Sequence, residues 1–178
     1  MHHIYLKHER GDESPLFYYP MIDKKKVVKL IEERMQELDA KLYLVDLSIS
    51  ASNVIHVTID KTEGRVSIEE CISVSRNIEK NLDREKEDFE LNVSSAGLDR
   101  PLIHWNQYRK HRGKRVKVTT AEGKKVEGQL VEVEEEFIKL QNEKVEKIEG
   151  TKKKQNIVEE IILPFKQIKE TKIVISFN

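Results

Sequence analysis

Apolar residues recur at helical spacing from Asp23 onward, at Val27, Leu30, Ile31, Met35 and Leu38, and predict an amphipathic helix of about four turns. The period then drops to two. Leu42, Leu44, Asp46 and Ser48 alternate with Tyr43, Val45, Leu47 and Ile49, the pattern of a strand with one buried face. Ser50 to Asn53 supply a turn, and Val54 to Ile59 return as the hairpin partner before Gly64 breaks the run. Ser67 and Glu70 stand at capping-box spacing, the hydroxyl meeting a free amide while the glutamate reaches back. The helix they open presents Ile68, Cys71, Ile72, Ser75, Ile78 and Leu82 on one side. Residues 83–88 read as charged loop and Phe89 to Ser95 as a third strand. The order α-β-β-α-β predicts a three-stranded sheet with both helices on one face, the other face open to water or a partner.

After Pro101 the texture changes. Leu102 to His111 predict a short linking helix carrying Trp105 and Tyr108. Short strands follow at Arg115–Thr120, Val126–Glu134, Phe137–Gln141, Ile157–Leu163 and Lys172–Phe177, with tight turns such as Ala121-Glu122-Gly123. That spacing predicts a small closed barrel. Asn142–Asn156, almost wholly polar, reads as a mobile loop. Pro164 rules out a continuous final strand there and predicts a tight turn with Phe165 and Ile168 packed inward. The fold class is α+β, divided into a tail at 1–20, an α/β domain at 21–98, a linker with a short helix at 99–112 and a barrel domain at 113–178. The first twenty residues show no period, and Met21 precedes the first patterned helix, so the expectation is either a start at Met21 or a loose tail.

Charge sharpens the division. Net charge is zero, yet residues 21–100 carry 13 Lys and Arg against 17 Asp and Glu, while residues 101–178 carry 17 against 12. The basic half is the one expected to meet phosphate or an acidic partner. One cysteine, Cys71, excludes an internal disulfide and fits a reducing cytosol. No apolar run is long enough to span a bilayer, and no apolar core marks a secretory signal, so the expectation is a soluble cytoplasmic monomer without membrane contact.

The most specified stretch is Leu91 to Leu102, LNVSSAGLDRPL, in which an apolar alternation runs into two serines, a small residue, a glycine and an Asp-Arg-Pro triplet. Together with Val66-Ser-Ile-Glu-Glu-Cys71, Val74-Ser75-Arg76 and Leu82-Asp83, this motif resembles the bacterial ribosome maturation factor RimP family over roughly residues 21–178. The resemblance implies an N-terminal α/β domain joined to a C-terminal barrel of the SH3 or Sm type. It also implies a role in cytoplasmic assembly of the small ribosomal subunit, with contacts to the immature particle, its rRNA and a ribosomal protein. Two departures stand out: Ala96 where the family usually has proline, and the long Lys/Glu-rich stretch at 142–156. Alanine in place of proline leaves more unfolded-state freedom, costing about 0.4–1 kcal/mol.

Two groups of residues are candidates for function. Ser94, Ser95, Gly97, Leu98, Asp99, Arg100 and Pro101 either fix the angle between the halves, contact a partner, or do both. Gly97 is expected at positive φ, Asp99 as acceptor for amides at the start of the linking helix, and Arg100 paired with Asp99 or the barrel. Arg109, Lys110, Arg112, Lys114, Arg115 and Lys117 place six cations in nine positions beside Trp105 and Tyr108, a set able to grip phosphate and stack a base, the alternative being a solvated face with core aromatics. Lys152 to Lys154 are a secondary candidate. There is no GxxG loop and no aromatic RNP pattern, so base-specific reading is not expected. Ser95, His104 and Asp99 match no nucleophile elbow, and Cys71 lies on an apolar stripe, so no catalytic residue is assigned. No cofactor is expected, and His2, His3 and His8 could hold metal only adventitiously. The function expected is a non-enzymatic assembly factor that binds one state of the immature particle better than another. The alternative is a general RNA-binding regulator acting through the basic barrel alone.

Overall fold

A computed structural model describes residues 22–86, 88–147 and 154–175. Helix α1 spans Lys24–Leu38 and is capped by Asp23, whose Oδ1 accepts from Lys25 N at 2.9 Å. It buries Val27, Ile31 and Met35, four residues apart on one face, while Leu38 reaches the surface. Strands β1 (Leu42–Ile49) and β2 (Val54–Lys61) form the expected hairpin, and α2 (Ile68–Asn81) crosses over to β3 (Glu90–Ser95), which lies parallel to β2 in a sheet of order β1-β2-β3. Asn53 adopts a left-handed φ of 58° in the hairpin turn and reaches Asp88 O through Nδ2 at 3.2 Å, tying the turn to the start of β3.

Strict alternation along β1 does not hold. The register shifts between Leu44 and Asp46, a bulge at Val45 that changes the parity of the strand. Leu42 and Leu44 before it, and Leu47 and Ile49 after it, therefore all reach the core, which four apolar residues of mixed parity could not do on a regular strand. That core gathers α1, α2 and the inward residues Ile55, Val57 and Ile59 of β2. Arg34 donates twice to Ser73 Oγ (2.9 and 2.8 Å) and Asn77 Nδ2 to Leu30 O (2.8 Å), joining the two helices. The apolar stripe of α2 is narrower than predicted. Cys71, Val74, Ile78 and Leu82 face the core, whereas Ile68 is 74 % and Ile72 43 % exposed.

The linking helix α3 is Trp105–Lys110, shorter than predicted. Strands β4 (Arg115–Thr120), β5 (Lys125–Val133), β6 (Phe137–Lys147), β7 (Lys154–Pro164) and β8 (Ile168–Ile173) form an antiparallel sheet of order β7-β6-β5-β4-β8. The predicted closure is absent: β7 and β8 are the two edges and do not pair. A 3-10 turn at Phe165–Gln167 follows Pro164, with Phe165 N bonded to Glu136 O and Ala121 N to Gln167 O, and it delivers β8 to β4 rather than to β7. Phe165 and Ile168 pack inward as predicted, Phe165 edge-on to Tyr108 at 5.1 Å, against a second core of Leu102, Val116, Val118, Leu130, Ile138, Leu140 and Leu163. The stretch predicted as a mobile loop is largely strand. β6 and β7 stay in register from Asn142↔Glu159 to Lys147↔Lys154, because paired strands satisfy one another's backbone N–H and C=O groups whatever side chains they carry; residues 148–153 lie outside the described residues.

The capping box of α2 forms as expected: Glu70 N donates to Ser67 Oγ at 3.2 Å and Ser67 N to Glu70 Oε2 at 2.8 Å. Ser67→Ala is expected to cost about 1 kcal/mol, lowering the thermal midpoint by several degrees in a calorimetric scan, with Ser67→Asp recovering most of the loss.

Candidate functional site

The strand-to-turn motif continues the sheet before leaving it. Ser94 and Ser95 end β3, and Ala96 N still donates to Ile59 O at 3.0 Å, one step further along the parallel ladder. Gly97 is not at positive φ; among the described residues the left-handed glycines are Gly64, Gly113 and Gly123. A Cβ at 97 would meet only the Asp99 carboxylate, the free end of an exposed side chain that can rotate away, so neither φ nor close packing demands glycine there. Asp99 does not cap the linking helix, which begins six residues later and takes His104 as its cap: Nδ1 accepts from Asn106 N at 3.2 Å, and Gln107 Oε1 accepts from His104 N at 3.0 Å. Asp99 and Arg100 are exposed, as is Leu98, and neither charge enters an ion pair among the described residues, so the predicted pairing of Arg100 is also absent. Pro101 leads directly into the second core, where Leu102 N donates to Thr171 O (2.8 Å) and Leu102 O accepts from Tyr108 Oη (3.2 Å).

The strongest contact between the halves is one that no sequence pattern announces. Asp60 at the end of β2 points away from the helices, toward the face predicted to be open, and that face receives α3. Its Oδ1 accepts from Lys110 Nζ at 2.6 Å and from Lys61 N at 2.8 Å, and its Oδ2 from Tyr43 Oη at 3.2 Å. The two charged side chains are 7 % and 17 % exposed. Tyr43, opposite Asp60 in the hairpin register, packs its ring on His104 at 4.7 Å. Burial, with the Asp60 charge added, pushes the Tyr43 phenol far above its usual pKa and keeps it a donor. A carboxylate on the outward parity of a strand looks like ordinary surface charge in sequence, so nothing local flags it.

Lys110 is thus committed to Asp60, and the other five cations divide. The Arg109 guanidinium lies over Trp105 at 4.7 Å, and Lys117 pairs with Glu127 at 3.3 Å. Arg112, Lys114 and Arg115 are exposed and have no acidic partner among the described residues. Of the aromatics, Tyr108 is buried in the second core, while Trp105 is 38 % exposed and donates its indole N–H to Glu134 O at 3.3 Å. A cleft of about 660 Å³ separates the halves, walled by Arg65, Val66, Leu98, Lys114, Ile173 and Ile175. Ser95, Asp99 and His104 share no hydrogen bond, since His104 Nδ1 is occupied by its capping role. Cys71 is half-buried against the first core, which raises its thiol pKa. His2, His3 and His8 and the cluster at Lys152 to Lys154 lie outside what is described.

Removing the charge of Asp60 leaves the enclosed Lys110 ammonium without its counter-ion. Asp60→Asn should lower unfolding free energy by about 3 kcal/mol in urea titration, and Asp60→Asn/Lys110→Met should recover much of that. Two imidazoles beside the same junction make it pH-sensitive. Burial holds the pKa of His104 and of His111 below the usual value, for His111 with Lys110 and Lys114 adding and Asp60 opposing. A lowered folded-state pKa means that the unfolded chain binds protons first, so stability falls as pH drops below about 6.5. Urea midpoints should decline between about pH 7 and pH 5.5, and less steeply in His104→Asn/His111→Gln, a variant in which the introduced asparagine still caps α3.

Among the described residues no helix is long and apolar enough to cross a membrane. The family model of the RimP N-terminal domain matches residues 30–99, which include most of the first core and the turn. The ribosome maturation factor RimP of Christiangramia forsetii is 42% identical over 154 residues, covering 86% of this chain and 99% of that protein. That of Flavobacterium psychrophilum is 37% identical over 157 residues, covering 88% and 100%, and that of Porphyromonas gingivalis 34% over 150 residues, covering 84% and 97%. With near-complete coverage of each relative at such identity, the chain belongs to the ribosome maturation factor RimP family.

Proposed function

We propose that this protein is a non-enzymatic, cytoplasmic assembly factor of the small ribosomal subunit. It binds the immature particle as a monomer through rRNA and a ribosomal protein, then leaves. Family membership supports the maturation role. The observation that carries the mode of binding is the group Arg112, Lys114 and Arg115: three exposed cations on the stretch that opens the second sheet, without acidic partners among the described residues. They are free to meet phosphate, whereas Lys110 is held in the junction. Phosphate contact of this kind is independent of base sequence and gives affinity that declines with salt, which suits a factor that must dissociate. The inter-domain motif from Ser94 to Pro101 contributes by holding the α/β domain, proposed as residues 21–98, at a set angle to the sheet domain, proposed as 113–178 with the linker 99–112 between them. Polar ties across the junction favour this two-domain reading over a regulator acting through the second domain alone, because they make the basic surface part of a larger face.

In sucrose gradients the protein should sediment with free small subunits at low salt. Arg112→Ala/Lys114→Ala/Arg115→Ala should weaken that association and reduce the slope of log affinity against log salt by about 2–3, as the loss of three phosphate contacts requires. An unchanged slope would remove the cations from the interface.

A further inference from the structure

The outer groove between the two helices of the first half gathers cations in a half that is acidic overall. It measures about 570 Å³ and is lined by Arg34 of α1 and by Ser73, Arg76, Asn77 and Lys80 of α2. Arg34 is fixed in place: its Nε and Nη2 donate to Ser73 Oγ at 2.9 and 2.8 Å, and its Nη1 to Glu37 Oε2 at 2.6 Å. Ser73 thereby accepts twice, and its own O–H meets no acceptor among the described residues. Arg76 and Lys80 follow it about one and two turns along α2, exposed and without acidic partners among the described residues. Glu79, beside Lys80 in sequence, turns instead to Arg84 at 3.2 Å. Like charges one turn apart on a helix repel, and no carboxylate of the fold answers these two.

Two carboxylates bear on the groove. Glu37 holds Arg34 at the exposed edge, and Glu69 lines the end nearest the start of α2, where its own amide and the Ser67 hydroxyl keep its carboxyl below the usual pKa. Three cations against these two leave a positive surplus, although residues 21–100 carry a net charge of −4 from 13 cations and 17 anions. The surplus and the free hydroxyl proton suit an anion with several acceptor oxygens, a phosphate group. Ser73 to Lys80 extends about 10 Å along the helix at about 1.5 Å per residue, so a chain of repeated phosphates engages both ends where a single ion reaches one. No aromatic ring lines the groove among the described residues, so no base is stacked there. We propose that the α1–α2 groove binds the phosphate backbone of RNA, independently of base sequence, as a contact separate from that of the second half. This inference goes beyond Arg112, Lys114 and Arg115 and does not rest on them: the two sets belong to different halves of the chain and stand or fail separately.

The test is fluorescence anisotropy of the full-length protein with a labelled RNA hairpin bearing a single-stranded tail, read across a series of salt concentrations. Arg76→Ala/Lys80→Ala should bind more weakly and lower the slope of log affinity against log salt by about 1.4–1.8, the loss of two phosphate contacts. Both side chains are exposed, and Arg76→Gln/Lys80→Gln replaces that variant if its native NMR spectrum is altered. Glu69→Gln, which removes the carboxylate from the groove lining, should bind more tightly. Lys24→Ala/Lys25→Ala takes two exposed cations from the start of α1 and should leave the slope unchanged, which separates a site from the general field of the protein. In NMR the amides of Ser73, Asn77 and Lys80 should shift as RNA is added. The slope lost with Arg76 and Lys80 is read whether or not Arg112→Ala/Lys114→Ala/Arg115→Ala also loses slope, so the two surfaces are judged apart. An unchanged slope in Arg76→Ala/Lys80→Ala, an equal loss in Lys24→Ala/Lys25→Ala, no tightening in Glu69→Gln, or inorganic phosphate or a phosphoserine peptide binding the groove as tightly as the RNA would each overturn the proposal.

Discussion

The arrangement of the two halves depends on one ion pair. Asp60 and Lys110 are fifty positions apart and belong to separate halves with separate hydrophobic cores, yet they meet at 2.6 Å with little access to water. A buried pair of this kind adds modest net stability but penalises every geometry that separates the charges, so it acts mainly on specificity. Here the geometry specified is the position of α3 on the outer face of the first sheet. Tyr43 and Lys61 give Asp60 two further donors, and the His104 ring packs on Tyr43 while its Nδ1 starts the helix that presents Lys110. The cap, the ring contact and the ion pair are therefore one device, and protonation of His104 would strike two of its parts together.

That device also divides the work of the basic segment. Six cations between Arg109 and Lys117 look equivalent in sequence, but packing assigns them different tasks. Lys110 fastens the two halves, Lys117 answers Glu127, Arg109 lies over an indole face, and only Arg112, Lys114 and Arg115 are exposed with neither an acidic nor an aromatic partner among the described residues. A count of positive charges overstates the surface open to phosphate about twofold. It also hides that the fastening and the binding groups share one short segment, which ties the orientation of the free cations to the junction.

Legibility follows from how local the governing physics is. The α1 and α2 helices, the Ser67 capping box, the β1–β2 hairpin and the turn after Pro164 are set by period, caps and proline chemistry within a few residues, and each forms as the sequence predicts. Errors arise where a distant partner decides. The β1 bulge exists because Leu42, Leu44, Leu47 and Ile49 must share one face, which a strict two-residue alternation hides. Helical phase alone puts Ile68 and Ile72 in the core, but Val74 and Ile78 define the buried stripe. The polar ends of β6 and β7 look like loop because neither strand needs an apolar face to pair. The exposed cations are legible in the basic segment itself, whereas Asp60 is not: its significance lies wholly in what packs against it.

Ala96 shows how a local rule and a tertiary contact can offset one another. A proline at this position would lack an N–H; alanine keeps one, and it donates to Ile59 O at 3.0 Å. Proline would pre-set φ and reduce unfolded-state freedom by about 0.4–1 kcal/mol, but it would remove this donor. A backbone hydrogen bond contributes about 0.5–1.5 kcal/mol net, so the two choices nearly balance. The turn in this chain is held by the sheet it leaves rather than by its own stiffness. With Ala96 tied to β2 at Ile59 and Lys110 tied to the next residue, Asp60, the chain enters and grips the junction at adjacent points of one strand. Two attachments at the end of β2 restrict rotation in a way that a stiff turn alone could not, because a single pivot leaves a domain free to swing about it.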